Sequence, residues 1–154
     1  MVTKSKIAQY WFDKGIDSQT LKVVLLTKET DFSRVKIVVV DWGEPECWAC
    51  GRYAANLEQM DSKNIGDIWN NSQLQRCHIV ARQFNGSDDV SNLFLLCPKC
   101  HRESPDLRDP TNFFAWVINK REEHGFFGEC VCGITKAAKA KHIDMDELCE
   151  ITKK

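Results

Sequence analysis

Residues 76–101 read RCHIVARQFNGSDDVSNLFLLCPKCH and combine two apolar segments, a polar turn and a pair of cysteines. Residues 74–81 are rich in apolar and β-branched side chains, which predicts a strand, and residues 93–96 predict a second, shorter strand. The run of asparagine, glycine, serine and aspartate at 85–89 is typical of a turn. We therefore predict a strand–loop–strand unit whose second strand leads directly into Cys97.

Two cysteine pairs, each with a two-residue spacer, flank this unit as Cys47–Cys50 and Cys97–Cys100. The spacer lets both sulfurs of one tight turn face the same ion, and two such turns complete a tetrahedral shell with Zn–S distances of about 2.3 Å. Neither pair lies in the strand–helix–strand context of a redox CxxC motif. The spacing predicts one structural zinc in a closed shell that takes no part in catalysis. A weaker candidate set with a one-residue spacer consists of Cys130, Cys132, Cys149 and His142.

The composition is that of an ordinary globular chain, since 43% of the 154 residues are hydrophobic and 28% are charged. No apolar run approaches the roughly 20 residues that a membrane span requires, and residues 1–9 lack the apolar core of a secretory signal. We therefore expect a cytoplasmic protein with no membrane partner, in which the eight cysteines favour metal binding over disulfides. The net charge of −1 gives no global signature of nucleic-acid binding.

The segment before the cysteines predicts an N-terminal helix followed by at least one strand. Residues 5–14 carry apolar side chains at helical spacing, and Gly15 follows as a stop. Residues 35–41 are rich in β-branched side chains and predict a strand. Residues 21–27 are compatible with either a strand or a helix capped by Asp17.

Helices are also predicted between and after the cysteine pairs. Residues 61–71 are polar with one apolar face, which indicates a short helix. Asp109 followed by Pro110 is a typical helix start, with aspartate at the cap and proline at the first helical position. This last helix is expected to end near His124. The residues expected to face the core are Phe113, Trp116 and Val117.

The motifs along this region resemble the HNH endonuclease family. They are His78-Ile79, a glycine-containing loop at 86–89, Asn92-Leu93 and Leu96-Cys97-Pro98-Lys99-Cys100-His101, with Cys47 and Cys50 upstream. The resemblance implies an α+β protein with a ββα-metal core held together by the two-knuckle zinc site, with flanking helices. It divides the chain into an N-terminal α/β extension packed on the core (1–42), a nuclease core (43–109) and a C-terminal helical segment (110–154).

The resemblance also implies a role for three side chains in hydrolysing a phosphodiester. His78 corresponds to the general base that takes a proton from water, and a neutral imidazole suits this task near pH 7. Asn92 corresponds to the residue that orients the base by hydrogen-bonding across the loop. His101 corresponds to the ligand of a catalytic divalent metal, for which Mg²⁺, Mn²⁺ and Ni²⁺ are the candidates.

Cys77 departs from the family pattern, because many members have aspartate, glutamate or histidine directly before the base as a second metal ligand. Thiolate is a poor ligand for Mg²⁺ and a better one for softer ions. An oxygen ligand from Asp106 or Glu103 is an alternative.

The resemblance implies a nuclease that acts on nucleic acid, and we expect the substrate to be DNA. A nuclease acting on RNA and a non-catalytic zinc module that binds nucleic acid or protein are the alternatives, and nothing in the motif separates DNA from RNA. The sequence gives no oligomeric state. Candidate phosphate contacts are Arg76, Arg82, Lys99 and Arg102.

Overall fold

The computed structural model describes residues 1–55 and 64–123. It is a mixed α+β structure with two small antiparallel sheets, which confirms the predicted fold class. The elements in chain order are α1 (Lys4–Trp11), β1 (Lys14–Asp17), β2 (Val23–Leu25), β3 (Val35–Ile37), α2 (Ile65–Asn71), β4 (Gln75–His78), β5 (Leu93–Leu96), α3 (Pro98–Glu103) and α4 (Pro110–Glu123). Single 3₁₀ turns at Arg82–Phe84 and Val90–Asn92 lie in the loop between β4 and β5.

The N-terminal sheet has the strand order β2-β1-β3, and β1 is the strand that the sequence did not predict. Helix α1 ends at Trp11 rather than Lys14, because residues 14–17 pair with β2 on one side and β3 on the other. Gly15 is therefore not a helix stop. A Cβ atom there would lie 2.3 Å from Val35 Cγ1, so glycine lets the two strands approach each other.

The ambiguous segment at 21–27 contains the strand β2, and Asp17 does not cap a helix. The Asp17 carboxylate instead accepts hydrogen bonds from the backbone N–H groups of Gln19 and Thr20, which form the turn between β1 and β2. Strand β3 is shorter than the predicted 35–41, because its partner β1 has only four residues to pair with.

The predicted helices α2 and α4 are present. The Asp109 carboxylate accepts a hydrogen bond from the Thr111 N–H at 2.9 Å, and α4 begins at Pro110 as the sequence predicted. Phe113 and Val117 are buried and Trp116 is half-buried against the core. The predicted helix end near His124 and the weaker zinc set at 130–149 lie outside the described residues. None of the helices in the described part of the chain is long and apolar enough to cross a membrane.

The core is built around large aromatic side chains drawn from distant parts of the chain. Trp11 of α1, Trp48 between the first two cysteines, Phe94 of β5 and Phe113 of α4 are at most 1% exposed. The Trp48 and Phe94 ring centroids lie 4.9 Å apart in an edge-to-face arrangement, and those of Trp11 and Phe94 lie 5.4 Å apart. Strand β5 therefore lies at the centre of the core. The division of the chain at residues 42 and 109 stays a prediction.

The hairpin β4–β5 contains most of residues 76–101. Its register pairs Gln75 with Leu96 and His78 with Leu93, so His78 lies at the end of the ladder that adjoins the loop. All four side chains of β5 are buried, which is consistent with its continuous apolar sequence. Helix α3 starts directly after β5 and completes a strand–strand–helix unit, the order that the family resemblance implied.

Candidate active site and metal centre

The four predicted cysteines Cys47, Cys50, Cys97 and Cys100 come together in one buried cluster. Their sulfur atoms all lie within 4.8 Å of one another. The Sγ atoms of Cys50 and Cys97 are 3.9 Å apart. This distance is close to the separation of about 3.8 Å that tetrahedral geometry requires for Zn–S bonds of about 2.3 Å. Four soft sulfur donors in this arrangement fit a structural metal ion, for which zinc is our proposed occupant.

Each cysteine pair is shaped by local backbone hydrogen bonds. In the first knuckle, the turn formed by Cys47–Cys50, the Gly51 N–H donates to the Cys47 carbonyl at 2.7 Å. Gly51 has a φ of +73°, which favours glycine. In the second, Cys97 is the N-cap of α3, and the His101 N–H donates to its carbonyl at 2.9 Å. The backbone N–H of Trp48 donates to the Leu95 carbonyl at 3.1 Å and so joins the first knuckle to β5.

The cysteine side chains in the cluster change one another's pKa values. Hydrogen bonds from Cys100 and Cys47 lower the pKa of Cys50, whereas the same contacts with Cys47 and Cys50 raise the pKa of Cys100. Cys50 and Cys100 therefore do not ionise together at neutral pH without a bound cation, because adjacent thiolates repel one another in a buried site. A bound cation removes this repulsion, so metal binding is expected to release protons.

His78 lies at the end of β4, where its side chain is 19% exposed. Its Nε2 atom is 2.7 Å from Asp88 Oδ1. Arg82 binds the same carboxylate, since its Nη2 atom donates to Oδ1 at 2.8 Å and to Oδ2 at 3.0 Å. The contacts with His78 and then Arg82 lower the pKa of Asp88, so the carboxylate is charged at neutral pH. The sequence indicated only a turn at Asp88 and gave no signal for this contact.

Asn92 spans the loop between β4 and β5. Its Oδ1 atom accepts a hydrogen bond from the Val80 N–H at 2.9 Å, and its Nδ2 atom donates to the carbonyls of Val80 at 3.1 Å and Ser87 at 2.8 Å. Gly86 packs against the backbone of Val80 in the same loop, where a Cβ atom on residue 86 would be 1.7 Å from the Val80 carbonyl oxygen. Asn92 thus makes hydrogen bonds across the loop, while its role in orienting the base stays a prediction.

His78, Arg82 and His101 line two adjoining clefts of about 430 Å³ each. The first cleft is also lined by side chains that follow α3 in sequence, among them Ser104 and Asp106. The second cleft also contains Asp88. The fold therefore brings the two predicted catalytic histidines, which come from β4 and α3, to one open surface.

The catalytic metal ligands suggested by the sequence differ in where they lie. Cys77 lines the first cleft but is buried, and its Sγ atom is 3.3 Å from Ser104 Oγ. Glu103 Oε2 accepts a hydrogen bond from Lys120 Nζ at 2.6 Å and does not line either of the two clefts. Asp106 does line the first cleft, where Gln83 Nε2 donates to its carboxylate at 3.3 Å. Within residues 1–55 and 64–123, the only set of three or more potential metal-ligating side chains is the four-cysteine cluster.

The candidate phosphate contacts surround these clefts. Arg82 and Arg102 line the first cleft, and Arg76 lines the second, where its Nη1 atom is 3.0 Å from Met1 Sδ. Lys99 lies with Arg102 in a third cleft of about 260 Å³. Arg82 is already held by Asp88. Contact between any of these side chains and nucleic acid stays a prediction.

Comparison with known proteins connects this geometry to a family. Residues 62–106 match the family model described as HNH endonuclease. No significant match was found among curated proteins or among solved structures. An HNH domain indicates a nuclease or a related function on nucleic acid. The resemblance inferred from the motifs is thereby confirmed for residues 62–106, the segment that carries His78, Asn92, His101 and the second cysteine pair.

Proposed function

We propose that this protein is a metal-dependent HNH endonuclease that hydrolyses phosphodiester bonds in DNA. The observation that carries the proposal is that His78 and His101, from two different elements, open onto the same clefts beside Arg82. These are the two histidines of the family motif, and a module that only bound nucleic acid would not need them on one surface. Arg82 and Arg102 add positive charge next to the position proposed for the scissile phosphate.

His78 acts as the general base in this proposal. Its imidazole takes a proton from the attacking water while the water approaches the phosphorus. Asn92 holds the loop beside it through hydrogen bonds to Val80 and Ser87. The side chain of His78 is neither fully buried nor fully exposed, so water and substrate can reach it.

His101 is the proposed ligand of the catalytic divalent metal. When bound, such an ion supplies positive charge for the phosphate and the leaving oxygen. His101 offers one nitrogen and Asp106 offers a carboxylate in the same cleft, which fits an ion that water and substrate help to hold. We expect weak metal binding in the absence of DNA, with Mg²⁺, Mn²⁺ and Ni²⁺ as the candidates.

A cleavage assay on supercoiled plasmid in Mg²⁺, Mn²⁺, Ni²⁺ or Zn²⁺ tests the proposal, with a labelled RNA as a parallel substrate. The wild-type protein is expected to nick or linearise the plasmid. His78→Ala is expected to lower the rate by roughly 10²–10⁴-fold, the usual contribution of a positioned general base, with unchanged folding and zinc content.

Three results would contradict this function. DNA binding without cleavage in any of the four metals would identify a non-catalytic module. Cleavage of RNA alone would identify an RNA nuclease. A His78→Ala variant that cuts at the wild-type rate with the same metal dependence would show that His78 is not the base.

A further inference from the structure

We infer that Asp88 is a positioning residue that holds His78 in the tautomer protonated at Nε2, so that Nδ1 is the nitrogen that takes the proton from water. The inference rests on the proposed function and adds to it the identity of the basic atom. It assigns a role to a loop carboxylate that is neither a metal ligand nor a motif histidine.

The contact between the two side chains fixes the position of the proton. His78 Nε2 and Asp88 Oδ1 are 2.7 Å apart. An ionised carboxylate only accepts hydrogen bonds, so Nε2 must donate. The opposite tautomer would place the lone pair of Nε2 against a carboxylate lone pair at that distance, which is repulsive. A neutral imidazole with its proton on Nε2 has its lone pair on Nδ1.

Arg82 Nε–H also points at His78 Nε2, and donating to that atom at 3.3 Å would require Nε2 to be unprotonated. The contact of Nε2 with Asp88 Oδ1 is much shorter, at 2.7 Å, and we therefore give the Arg82 Nε–H to the carboxylate and the proton to Nε2. The same Nε atom is 3.2 Å from Asp88 Oδ1, and Nη2 contacts both carboxylate oxygens at 2.8 and 3.0 Å. The guanidinium therefore holds Asp88 in place and keeps it ionised.

The other nitrogen of His78 is available for chemistry. Within the part of the chain that the structure describes, no hydrogen-bond partner reaches Nδ1, whereas Nε2 is engaged. His78 lines both clefts, so a water or a substrate phosphate can approach the ring from solvent. A base that is held at one nitrogen and open at the other is the arrangement that general-base catalysis requires.

The loop is built to keep Asp88 in reach of His78. Asn92 Nδ2 donates to the carbonyl of Ser87, the residue directly before Asp88, at 2.8 Å. Gly86 packs against the Val80 carbonyl with no space for a Cβ atom. Asn92 therefore acts on His78 indirectly, by fixing the loop that carries the carboxylate.

Nitrogen-15 NMR of histidine-labelled protein tests the tautomer without any cleavage assay. The chain contains four histidines, so the His78→Ala variant identifies the His78 signals by difference. For the neutral imidazole in the wild-type protein we expect a protonated Nε2 and an unprotonated Nδ1. Asp88→Ala is expected to shift His78 to a mixture of tautomers, whereas the matched control Asp89→Ala, which removes the neighbouring carboxylate, leaves it unchanged.

Cleavage kinetics provide the second measurement. Asp88→Ala is expected to lower kcat by about 10- to 100-fold with little change in KM for DNA, the usual effect of removing a partner that orients a functional histidine. Asp88→Glu keeps a carboxylate and should restore part of the rate. Asp89→Ala should cleave at the wild-type rate.

The two proposals fail in different ways. A wild-type protein that cleaves no DNA contradicts the endonuclease function, and the NMR result still reports whether Asp88 sets the tautomer. A wild-type spectrum with His78 protonated at Nδ1 overturns the inference. An Asp88→Ala variant that matches Asp89→Ala in both spectrum and kcat also overturns it, while leaving the nuclease function intact.

Discussion

Cys77 directly precedes His78 on β4 and lines the first cleft with it. Its side chain is buried, and its Sγ atom lies 3.3 Å from Ser104 Oγ. Burial raises the pKa of the Cys77 thiol, so the thiol is protonated at neutral pH. Since the thiolate and not the thiol binds metals, we interpret Cys77 as a packing residue rather than a ligand of the catalytic metal.

Replacing Cys77 with alanine tests this interpretation. Cys77→Ala should retain most of the cleavage activity and the same metal preference, because the substitution removes only a buried thiol. The free energy of unfolding should fall by about 1 kcal/mol, a typical value for a small change in a core. His78→Ala, one residue further on, should be far more damaging to cleavage and less so to stability. A folded Cys77→Ala protein that neither binds metal nor cleaves would identify Cys77 as a true ligand.

The candidate site residues that the sequence suggests belong to a linear motif, whereas it gives no signal for the contact between Asp88 and His78, which depends on the path of a loop. His78, Asn92 and His101 stand at fixed places relative to the strands and the second cysteine pair. Asp88 reaches His78 only because the loop turns back on itself, with Asn85 at a φ of +62° and Gly86 against Val80. Turn-forming residues predict that the chain turns, but not which side chain the turn presents.

At the scale of secondary structure, the second knuckle connects metal binding to the position of His101. Cys97 directly follows β5 and is the N-cap of α3, and His101 follows Cys100 in the same short helix. Strand β5 pairs with β4, which ends at His78. A metal ion held by the cysteines would therefore fix the distance between the two histidines, although it lies outside their clefts.

Loss of a metal ion from the cysteine cluster is expected to unfold the part of the protein that the cluster holds together. Structural zinc contributes on the order of 10–16 kcal/mol in small zinc-dependent folds, which is comparable with the entire stability of a typical domain. Cys100→Ser should therefore abolish zinc binding and either unfold the protein or sharply lower its melting temperature. Elemental analysis and thermal unfolding measure the two effects.

The matched control for this experiment is Cys77→Ser, which makes the same chemical change at a buried cysteine outside the cluster. It should bind one zinc per chain, as the wild-type protein does, and lose much less stability. Absence of zinc from wild-type protein purified without a chelator would contradict the assignment. So would equal melting temperatures for Cys100→Ser and Cys77→Ser.

Elements with a local signal were predicted, and those that depend on distant partners were not. Strand β5 and the start of α4 follow from an apolar run and a capping aspartate. Strand β4 covers only 75–78 of the predicted 74–81 and leaves out the apolar residues 79–81 that suggested it. Strand β1 was missed because its residues 14–17 have little strand character alone, and pairing with β2 and β3 makes them a strand. The glycine read as a helix stop has its function in that pairing, which the sequence does not show.

On the scale of the whole molecule, the N-terminal helix is joined to the hairpin that carries the proposed active site. Trp11 packs against Trp48, Phe94 and Phe114 in the core. Its indole N–H also donates to the carbonyls of Leu93 at 2.9 Å and Val90 at 3.2 Å. These two carbonyls lie on either side of Asn92, so a side chain from the first helix supports the loop that holds Asp88.

Two substitutions of Trp11 separate packing from hydrogen bonding. Trp11→Ala should cost about 3–5 kcal/mol of unfolding free energy, as expected for removing a large buried ring. Trp11→Phe keeps most of the ring contacts but leaves two carbonyls without their donor, which should cost about 1–3 kcal/mol. Because the affected carbonyls flank Asn92, Trp11→Phe should also lower cleavage under conditions where the variant is fully folded.

The matched control is Tyr10→Phe, an aromatic substitution one residue earlier in α1, and it should change neither the stability nor the cleavage activity. Equal stability and activity of Trp11→Phe and Tyr10→Phe, measured by denaturant unfolding and plasmid cleavage, would show that the indole hydrogen bonds do not support the loop.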